Sequence, residues 1–437
     1  MDSEPSIYVS YKMEAADIAL NDKLVRKNHK TRKCGDYSLI RYDKEFVADS
    51  DLDIRKYRSV IVSSISNHLL CFTPPKSIPV EQFRTMYPSI SDGETSYDFL
   101  ITEAIEGTMV SLFYDKDIGT WEIATKSSVG CEYFFYRTEY YNEHKTQPTF
   151  KAMFLEALGS SPVDDLNELS ILEFFPKNYS YTFVLQHPQN HMVLNIAKPT
   201  LYLVAVYDIH EDKAITIPQI VYQEWDCFIN LIGFIGFPRQ YQGFSYSDLI
   251  DNFASIHSDY NQMGFMITNM ISGHRCTIKN PVYENVRLLR GNNPSLQYHY
   301  LCLRRMGKVQ EFILYFPMYK KLFYTFYDQF TTFVNNLHAS YISYYILKNT
   351  EPPISKKYMG HIYKLHHSIY LPSVRNPETV KVIITKHVVR EYMDSLDPGA
   401  VLFYLNYDLR KMNTSTHNDG PEAEPYLGQE CLSQESV

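Results

Sequence analysis

The apolar residues of this chain change their spacing near residue 315, and this change limits the possible folds more than any other feature. Before it, short segments alternate apolar and polar side chains, as in EGTMVSLFY and TWEIAT within residues 98–125, which the turn DKDIG separates. After it, apolar residues recur at helical spacing through YKKLFYTFYDQFTTFVNNLHASYISYYILKN. Alternation of apolar and polar residues is typical of half-buried strands. Apolar residues that recur every three to four positions are typical of amphipathic helices. The sequence therefore predicts an α+β protein with antiparallel sheets first and helices afterwards.

The same patterns predict where the domains and their elements lie. We place a mixed α+β domain over 1–310, a helical domain over 311–410, and an acidic tail over 411–437 whose polar composition predicts disorder. Within the first domain, strands are expected in YRSVIVSSISNHLLCF, SYTFVLQH, LYLVAVYDI, GFMITNM and RCTIKNP. Helices are expected over 149–157 and 245–260, the second capped by Ser247.

Composition and charge exclude several classes of protein. Apolar residues make up 45% of the chain, which is too much for a disordered protein. The net charge of −8 excludes a basic coat for nucleic acid but allows a local basic groove. The seven cysteines are scattered without a CxxC pair, so we expect a reducing, intracellular compartment. The apolar windows are short and the N-terminus is polar, so we expect neither membrane insertion nor a signal peptide.

Several segments occur together in an order that points to one family. They are KYRSVIV at 56–62, TEAIEGTMVSLFY at 102–114, WEIATKSSVG at 121–130, YTFVLQHPQNHMV at 181–193, QMGFMI at 262–267, RCTIKNPVYENVRLLRGN at 275–292 and KLHHSIYLPS at 364–373. In this order they resemble the phage-type ATP-dependent RNA ligases, closest to those of large DNA viruses. The resemblance implies a nucleotidyltransferase (adenylyltransferase, ATP-grasp-like) domain followed by a helical C-terminal domain.

The resemblance also implies a chemistry that several residues of this chain do not support. In the family, a lysine attacks the α-phosphate of ATP and carries AMP, which then activates an RNA 5′-phosphate. Ala104 stands at the lysine position, and a methyl group has no lone pair. Met263 stands where the family has a metal-binding glutamate, and Thr277 where it has the first of two lysines. A further carboxylate of the family would fall near Val184.

Other residues keep the family's pattern and form the predicted nucleotide-binding set. They are Arg58, Glu106, Gly107, Lys126 and Lys279. For Arg58, a phosphate contact and a structural ion pair are both open. For Lys126, a substitute nucleophile, a phosphate contact and a solvated lysine are open. We expect no required cofactor, no metal site and no Mg²⁺, although remnant binding of ATP or AMP is compatible with the retained residues.

These expectations lead to one interpretation of function and two alternatives. The interpretation is an RNA ligase-like protein without catalysis, which acts by binding RNA or nucleotide or as a scaffold. The alternatives are an active ATP-dependent RNA ligase with a relocated lysine, and a purely structural viral protein. Expected partners are RNA and other viral proteins, in the cytoplasm or in a virion.

Overall fold

The described part of the chain falls into two compact units. The computed structural model describes residues 8–13, 22–31, 35–48, 50–91, 98–133, 148–190, 192–229, 231, 233–291, 293, 295–349, 351, 353–375 and 380–410. The first unit extends to Arg290, and the second begins at Gly291. The division at residue 310 that the periodicity suggested lies within the second unit, and the tail over 411–437 lies outside the described residues.

The first unit contains three sheets in which almost all neighbouring strands are antiparallel. Sheet A has the order β1 (Ser10–Lys12), β12 (Lys213–Ile217), β11 (Thr200–Ile209), β10 (Tyr179–Gln186), β7 (Thr108–Asp115), β8 (Thr120–Thr125) and β9 (Ser128–Val129), with β13 (Ile235–Gly236) parallel to β11. Sheet B has the order β2 (Leu24–Lys30), β3 (Asp36–Tyr42), β4 (Val60–Ser63) and β5 (Leu69–Phe72). Sheet C has the order β14 (Gln240–Tyr241), β6 (Phe99–Glu103), β15 (Gly264–Asn269) and β16 (Arg275–Lys279).

Helices accompany the sheets in the first unit and make up the second. Those of the first unit are α1 (Val80–Met86), α2 (Phe150–Ala157), α3 (Gln219–Tyr222), α4 (Asp226–Ile229), α5 (Tyr246–Phe253) and α6 (Pro281–Arg290). Those of the second are α7 (Leu296–Arg305), α8 (Val309–Tyr315), α9 (Lys320–Tyr341), α10 (Lys356–Lys364), α11 (Leu371–Arg375), α12 (Lys386–Ser395) and α13 (Pro398–Leu405). Single π-helical segments, Ile342–Ile346 and Leu365–Tyr370, continue α9 and α10. None of the described helices combines the length and the apolar character needed to cross a bilayer.

The α+β class, the antiparallel sheets and the helical C-terminal region predicted from the sequence are confirmed. The alternating pair within residues 98–125 forms the hairpin of β7 and β8, with Tyr114 opposite Trp121. The helix predicted over 245–260 is shorter, and the prediction of its cap is wrong. Ser245, not Ser247, is the N-cap, because its hydroxyl accepts from the Asp248 N–H while the Asp248 carboxylate accepts from Ser245.

Sheet A separates two apolar layers. On one face, the side chains of Leu112, Phe183 and Leu203 pack with α2, α4 and the 3₁₀ turns between α2 and β10. On the other face, Phe113 and Tyr207 pack against sheet B. Because side chains alternate along a strand, each strand of this sheet contributes to both layers. Sheet A therefore contributes to a buried core on both of its faces.

Sheet C uses the same alternation to separate its core from a cleft. Phe265 and Ile267 of β15 face α1 and α5 in a buried cluster. Met266 and Thr268 point the other way, towards sheet A, where they line a cavity together with Tyr207 of β11. We call the space between sheets A and C the intersheet cleft. Residues on the cleft-facing side of sheet C are the ones that a ligand in this space would contact.

Gly264, at the start of β15, offers a test of how closely the strands of sheet C approach. Its φ is +124°, and a Cβ there would lie 2.2 Å from the Ile278 carbonyl oxygen and 2.9 Å from the Lys279 Cα. We expect Gly264→Ala to lower the free energy of unfolding by about 3 kcal/mol, because backbone atoms must move to admit the methyl group. Chemical denaturation of the full chain measures this.

Gly243→Ala is the matched control. Gly243 also has a positive φ, +74°, but nothing lies within 4 Å of its missing Cβ. Its substitution should cost only about 1 kcal/mol, from the left-handed conformation alone. Equal losses in the two variants would show that the close approach at Gly264 has no energetic weight.

Candidate functional site

The strand pairing of sheet C brings Ala104, Met263 and Thr277 together at one end of the intersheet cleft. The backbone N–H of Ala104, directly after β6, donates to the Gly264 carbonyl at 3.1 Å. Gly264 lies opposite Lys279, and Met266 lies opposite Thr277. Met263 is buried and precedes Gly264, so Ala104, Met263 and the β16 residues share one corner of the sheet. The pairing of β6, β15 and β16 therefore places these positions close together.

Glu106 is engaged by the protein backbone. Its carboxylate is buried and accepts hydrogen bonds from the backbone N–H groups of Met192, Val193 and Leu194, at 3.1 to 3.3 Å. A carboxylate surrounded by several N–H donors is stabilised without a metal or a basic side chain. The residue therefore ties the β6–β7 loop to the segment after β10, and its oxygens are already occupied.

The HPQN segment, residues 187–190, wraps around the same loop. The Gln186 side chain donates to the Glu106 carbonyl at 2.9 Å, and the Asn190 side chain donates to the Thr108 hydroxyl at 2.8 Å. His187 Nδ1 accepts from the Gln189 N–H, so its Nε2 carries the proton and donates to Glu156 Oε2 at 2.8 Å. Glu156, on α2, was not a predicted site residue, because nothing in the sequence connects it to the HPQN string.

Gly107 is required by the backbone of β10. Its φ is +153°, and a Cβ would lie 2.5 Å from the Leu185 carbonyl oxygen and 2.7 Å from Val184. The Glu106-Gly107 pair therefore has a structural reason in this fold that does not depend on a bound nucleotide.

Thr277 and Lys279 point into the cleft but have protein partners. The Thr277 hydroxyl lies 3.1 Å from the Ser77 hydroxyl. Lys279 Nζ lies 3.4 Å from Glu284 of α6, which also binds Arg287 through two hydrogen bonds. Burial opposes ionisation of Glu284, but Arg287 and Lys279 outweigh it and lower its pKa. A phosphate at Lys279 would have to compete with this carboxylate.

Lys126 lies after β8 and contacts the aromatic ring of Tyr42. Its Nζ donates to the Tyr42 hydroxyl at 3.0 Å and sits 4.8 Å from the ring centroid. Lys76 lies over the same ring at 5.2 Å. Lys126 is half-buried, and these contacts hold its amine at the Tyr42 ring.

Arg58 is buried, and its environment differs from that of an ion pair. Among the described residues no carboxylate lies within ion-pair distance of its guanidinium, and its Nε has no hydrogen-bond partner. Its charge acts instead on Arg275 and Tyr207. The sequence did not single out Arg275, because only the pairing of β16 places it in the cleft.

Apolar side chains occupy the cleft beside Ala104. Ile105, Met109, Val184 and Met266 form a buried cluster, and Tyr202 and Val204 pack against it. Val184, where the family would have a carboxylate, is fully buried in this cluster. The remaining cavity has a volume of about 80 Å³, far below the roughly 300–1,000 Å³ of small-molecule sites.

The donor set at this corner does not fit Mg²⁺. This ion prefers carboxylate and water oxygens, whereas Met263 offers a thioether and Glu106 is bound by backbone N–H groups. The other nearby carboxylate, Glu103, accepts from the Arg239 N–H at 3.1 Å. Over the part of the chain that the structure describes, no group of three His, Cys, Asp or Glu residues could hold a metal ion.

Comparison with known proteins finds weak structural likenesses. No family model and no curated protein matches the chain. Among solved structures, a mutant of Naegleria gruberi RNA ligase with ATP and Mn has 13% identity and a TM-score of 0.34, covering 64% of this chain and 85% of that one. A second mutant with ATP and Mn has 12% identity and a TM-score of 0.33, and an apo mutant 12% and 0.31, with the same coverage. Likenesses at these scores carry no argument about the fold or activity of this chain.

Glu106→Gln tests whether this carboxylate holds the fold together. The amide keeps the shape but loses the charge, and it brings an NH₂ group towards backbone donors. We expect the free energy of unfolding to fall by about 2 kcal/mol, because charge-assisted hydrogen bonds to buried N–H groups are lost. Denaturant unfolding of the full chain measures the change.

Glu224→Gln is the control, since Glu224 is an exposed glutamate of the same unit. Its effect should stay within about 0.5 kcal/mol. If both variants lose the same small amount, Glu106 does not have the structural role assigned to it.

Proposed function

We propose that this chain is an RNA ligase-like protein that has lost adenylyl transfer and acts by binding RNA or nucleotide, or as a scaffold. The observation that carries the proposal is Ala104. It stands next to Gly264 and the β16 residues, where the family's chemistry needs an amine. An alanine methyl group cannot form the phosphoramidate with AMP. The proposal includes viral protein partners and a cytoplasmic or virion location, which rest on the resemblance alone.

The environment of Ala104 supports the same conclusion. A lysine nucleophile needs cationic neighbours and a metal to neutralise phosphate charge. Here Met263, Val184 and Met266 supply apolar side chains at this end of the cleft. The one retained lysine of the β16 motif, Lys279, is paired with Glu284. Replacing the alanine alone would therefore not restore the site.

Glu106 and Gly107, which keep the family's pattern next to Ala104, are needed for the fold itself. Glu106 holds three backbone N–H groups, and Gly107 lies against the Leu185 carbonyl. Loss of any of them would disturb the packing of β7 against β10. Loss of the lysine has no such cost, because an alanine fits the end of β6. The frame of the site can therefore persist without its chemistry.

The alternative of an active ligase with a relocated nucleophile has one specific candidate, Lys126. Its amine donates to the Tyr42 hydroxyl and lies over the Tyr42 ring. A cation–π contact favours the charged ammonium, whereas nucleophilic attack requires the neutral amine. The contact therefore argues against this role, and we keep Lys126 as a phosphate contact in the proposal.

An adenylylation assay tests the loss of catalysis. The purified full chain is incubated with ATP labelled at the α-phosphate and Mg²⁺ or Mn²⁺, then denatured and separated by electrophoresis. We expect no labelled band, because the position of the nucleophile is Ala104. A label that survives denaturation and disappears in Lys126→Met would instead establish the relocated-lysine alternative.

The combined variant Ala104→Lys, Met263→Glu and Thr277→Lys is the positive control. Because catalytic groups that act as a unit are strongly non-additive, Ala104→Lys alone should give little or no label, and the triple variant a detectable one. A label that returns only in the triple variant indicates that the frame of the site is intact. A folded triple variant that never labels would show that the apolar cluster has remodelled the cleft, and would favour a scaffold role.

Nucleotide binding at Arg58, Glu106, Gly107, Lys126 and Lys279 is the other part of the proposal. Because Glu106 and Lys279 already have partners and the cavity is small, we expect weak binding of ATP. The affinity should not change when Mg²⁺ is added, because the described carboxylates at this corner, Glu103, Glu106 and Glu284, already have protein partners. Calorimetric titration with and without Mg²⁺ checks this, and tight, Mg²⁺-dependent binding would contradict it.

A further inference from the structure

Two buried arginines of the first unit influence each other electrostatically, and one of them, Arg275, lines the intersheet cleft. Arg275, on β16, is 7% exposed, and Arg58, just before β4, is 4% exposed. They are close enough that Arg58, together with burial as the larger cause, lowers the pKa of Arg275 to about 10. Arg275 therefore still carries its charge at neutral pH. We call these two residues the arginine pair.

The arginine pair has poor hydrogen-bond partners. The Nε atoms of both residues are buried without any partner among the described residues. One terminal nitrogen of Arg275 contacts the Met266 sulfur, which is a weak acceptor for a guanidinium. A buried guanidinium normally has carboxylate, phosphate or carbonyl oxygens around its donors. Both arginines therefore have donors to spare for an oxygen-rich ligand.

No negative charge in the described residues balances the pair. Tyr11 and Tyr207 lie next to Arg275, but burial raises the pKa of Tyr11 to about 12 and also raises the pKa of Tyr207 well above its usual value, so both are neutral phenols. Glu103 is the carboxylate in the cavity wall, but it accepts from the Arg239 N–H. Leu100 of β6 lies opposite Thr268, which lies opposite Arg275. Glu103 is three residues further along β6, so it is about 10 Å along the strand from the position of Arg275.

Two buried like charges without a counter-ion are expensive to maintain. Charges taken out of water cost several kcal/mol each unless an opposite charge and hydrogen bonds compensate them. The cavity of about 80 Å³ beside Arg275 is lined by further donors, the hydroxyls of Thr102, Thr216 and Thr268. Its size admits a small oxyanion but not a nucleoside. The positive charge, the hydroxyl donors and the small volume therefore all favour a small oxyanion as the ligand of this cavity.

We propose that Arg58 and Arg275 form a binding site for a phosphate-sized oxyanion, a phosphoryl group held between sheets A and C. The cavity is the one that Ala104 also lines, but Arg275 lies at a different part of it from the β16 residues next to Ala104. Arg275 and Lys279 are four residues apart on β16, which is about 13 Å along the strand. Both arginines lie in segments that carry the family resemblance, and Arg58 also belongs to the proposed nucleotide-binding set, so this inference rests in part on the proposed function. Its own evidence is the burial of the two guanidinium groups and the absence of a partner for either Nε atom among the described residues.

The test is titration of the full chain with inorganic phosphate at constant ionic strength, by calorimetry and thermal unfolding. We expect one saturable site per chain and a rise in the unfolding temperature with phosphate. Arg275→Met and Arg58→Met should each weaken phosphate binding by about tenfold or more, since a charge-assisted hydrogen bond contributes at least that factor. Without phosphate, Arg275→Met should unfold at the same or a higher temperature than the unmodified protein, because it removes an uncompensated buried charge.

Arg305→Met is the matched control, because Arg305 is an exposed arginine of the second unit. It loses the same charge and should bind phosphate like the unmodified protein. If phosphate gives no saturable response in the unmodified protein, or if binding survives in both cleft variants, the proposal is overturned. Should the methionine variants fail to fold, Arg275→Lys keeps the charge but loses the two-pronged geometry. The proposal then requires weaker phosphate binding in that variant, and unchanged binding overturns it.

The source of the phosphoryl group is resolved by competition. AMP, a 5′-phosphorylated single-stranded RNA and its 5′-hydroxyl counterpart are each added to the phosphate-bound protein. If AMP or the 5′-phosphorylated RNA displaces the bound phosphate and the 5′-hydroxyl RNA does not, the ligand is a terminal phosphate group. The remaining atoms of that ligand then lie outside the cavity. Displacement by inorganic phosphate analogues only identifies a free oxyanion. Either result supports the site, whereas displacement by the 5′-hydroxyl RNA would indicate non-specific charge and contradict it.

Discussion

The Glu106 carboxylate is the contact on which the architecture around the intersheet cleft depends. It binds three successive backbone N–H groups after β10 and so joins the β6–β7 loop to the far end of β10. Gly107 then passes within contact of the Leu185 carbonyl, which no residue with a side chain could do. Since β6 belongs to sheet C and β7 to sheet A, this junction sets how the two sheets meet.

Under the proposed function, this junction explains how the corner at Ala104 keeps its shape without a nucleophile. The residues that shape the loop, Glu106 and Gly107, are bound into the backbone, whereas a nucleophilic lysine would only project from it. At Ala104 a small apolar side chain is compatible with the buried cluster of Met109, Val184 and Met266. The stability of the fold therefore depends on Glu106 and Gly107 but does not depend on a lysine at position 104. Glu106 and Gly107 would be retained both in an active enzyme and in an inactive protein that needs them for folding. Only a measurement of activity distinguishes these two cases.

Unlike Glu106, whose charge stabilises the fold, the arginine pair places buried charge in the fold without a compensating partner among the described residues. Elsewhere in the first unit the buried or partly buried charges have partners, such as Lys279 with Glu284 and His187 with Glu156. Among the described residues, Arg275 is influenced by Arg58 and by the phenols of Tyr11 and Tyr207, and it contacts the Met266 sulfur, a weak acceptor. A fold that retains such a pair carries an energetic cost that an anion would remove. The cleft can therefore hold an anion even though its corner at Ala104 is filled by apolar side chains.

The sequence by itself determined the class of fold, because strand alternation and helical spacing are local properties that each segment shows alone. It predicted the β7–β8 hairpin, the strand pair β15–β16 and the helical C-terminal region, and it marked Ala104, Met263 and Thr277 as positions without the expected chemistry. Only the tertiary structure decided the rest. Local patterns placed the cap of α5 at Ser247, whereas the mutual hydrogen bonds of Ser245 and Asp248 put it two residues earlier. The partners of Glu106, the apolar filling around Val184 and the meeting of Arg58 with Arg275 all join residues far apart in the chain. Such contacts depend on which faces of two sheets oppose each other, and no periodicity within one segment encodes that choice.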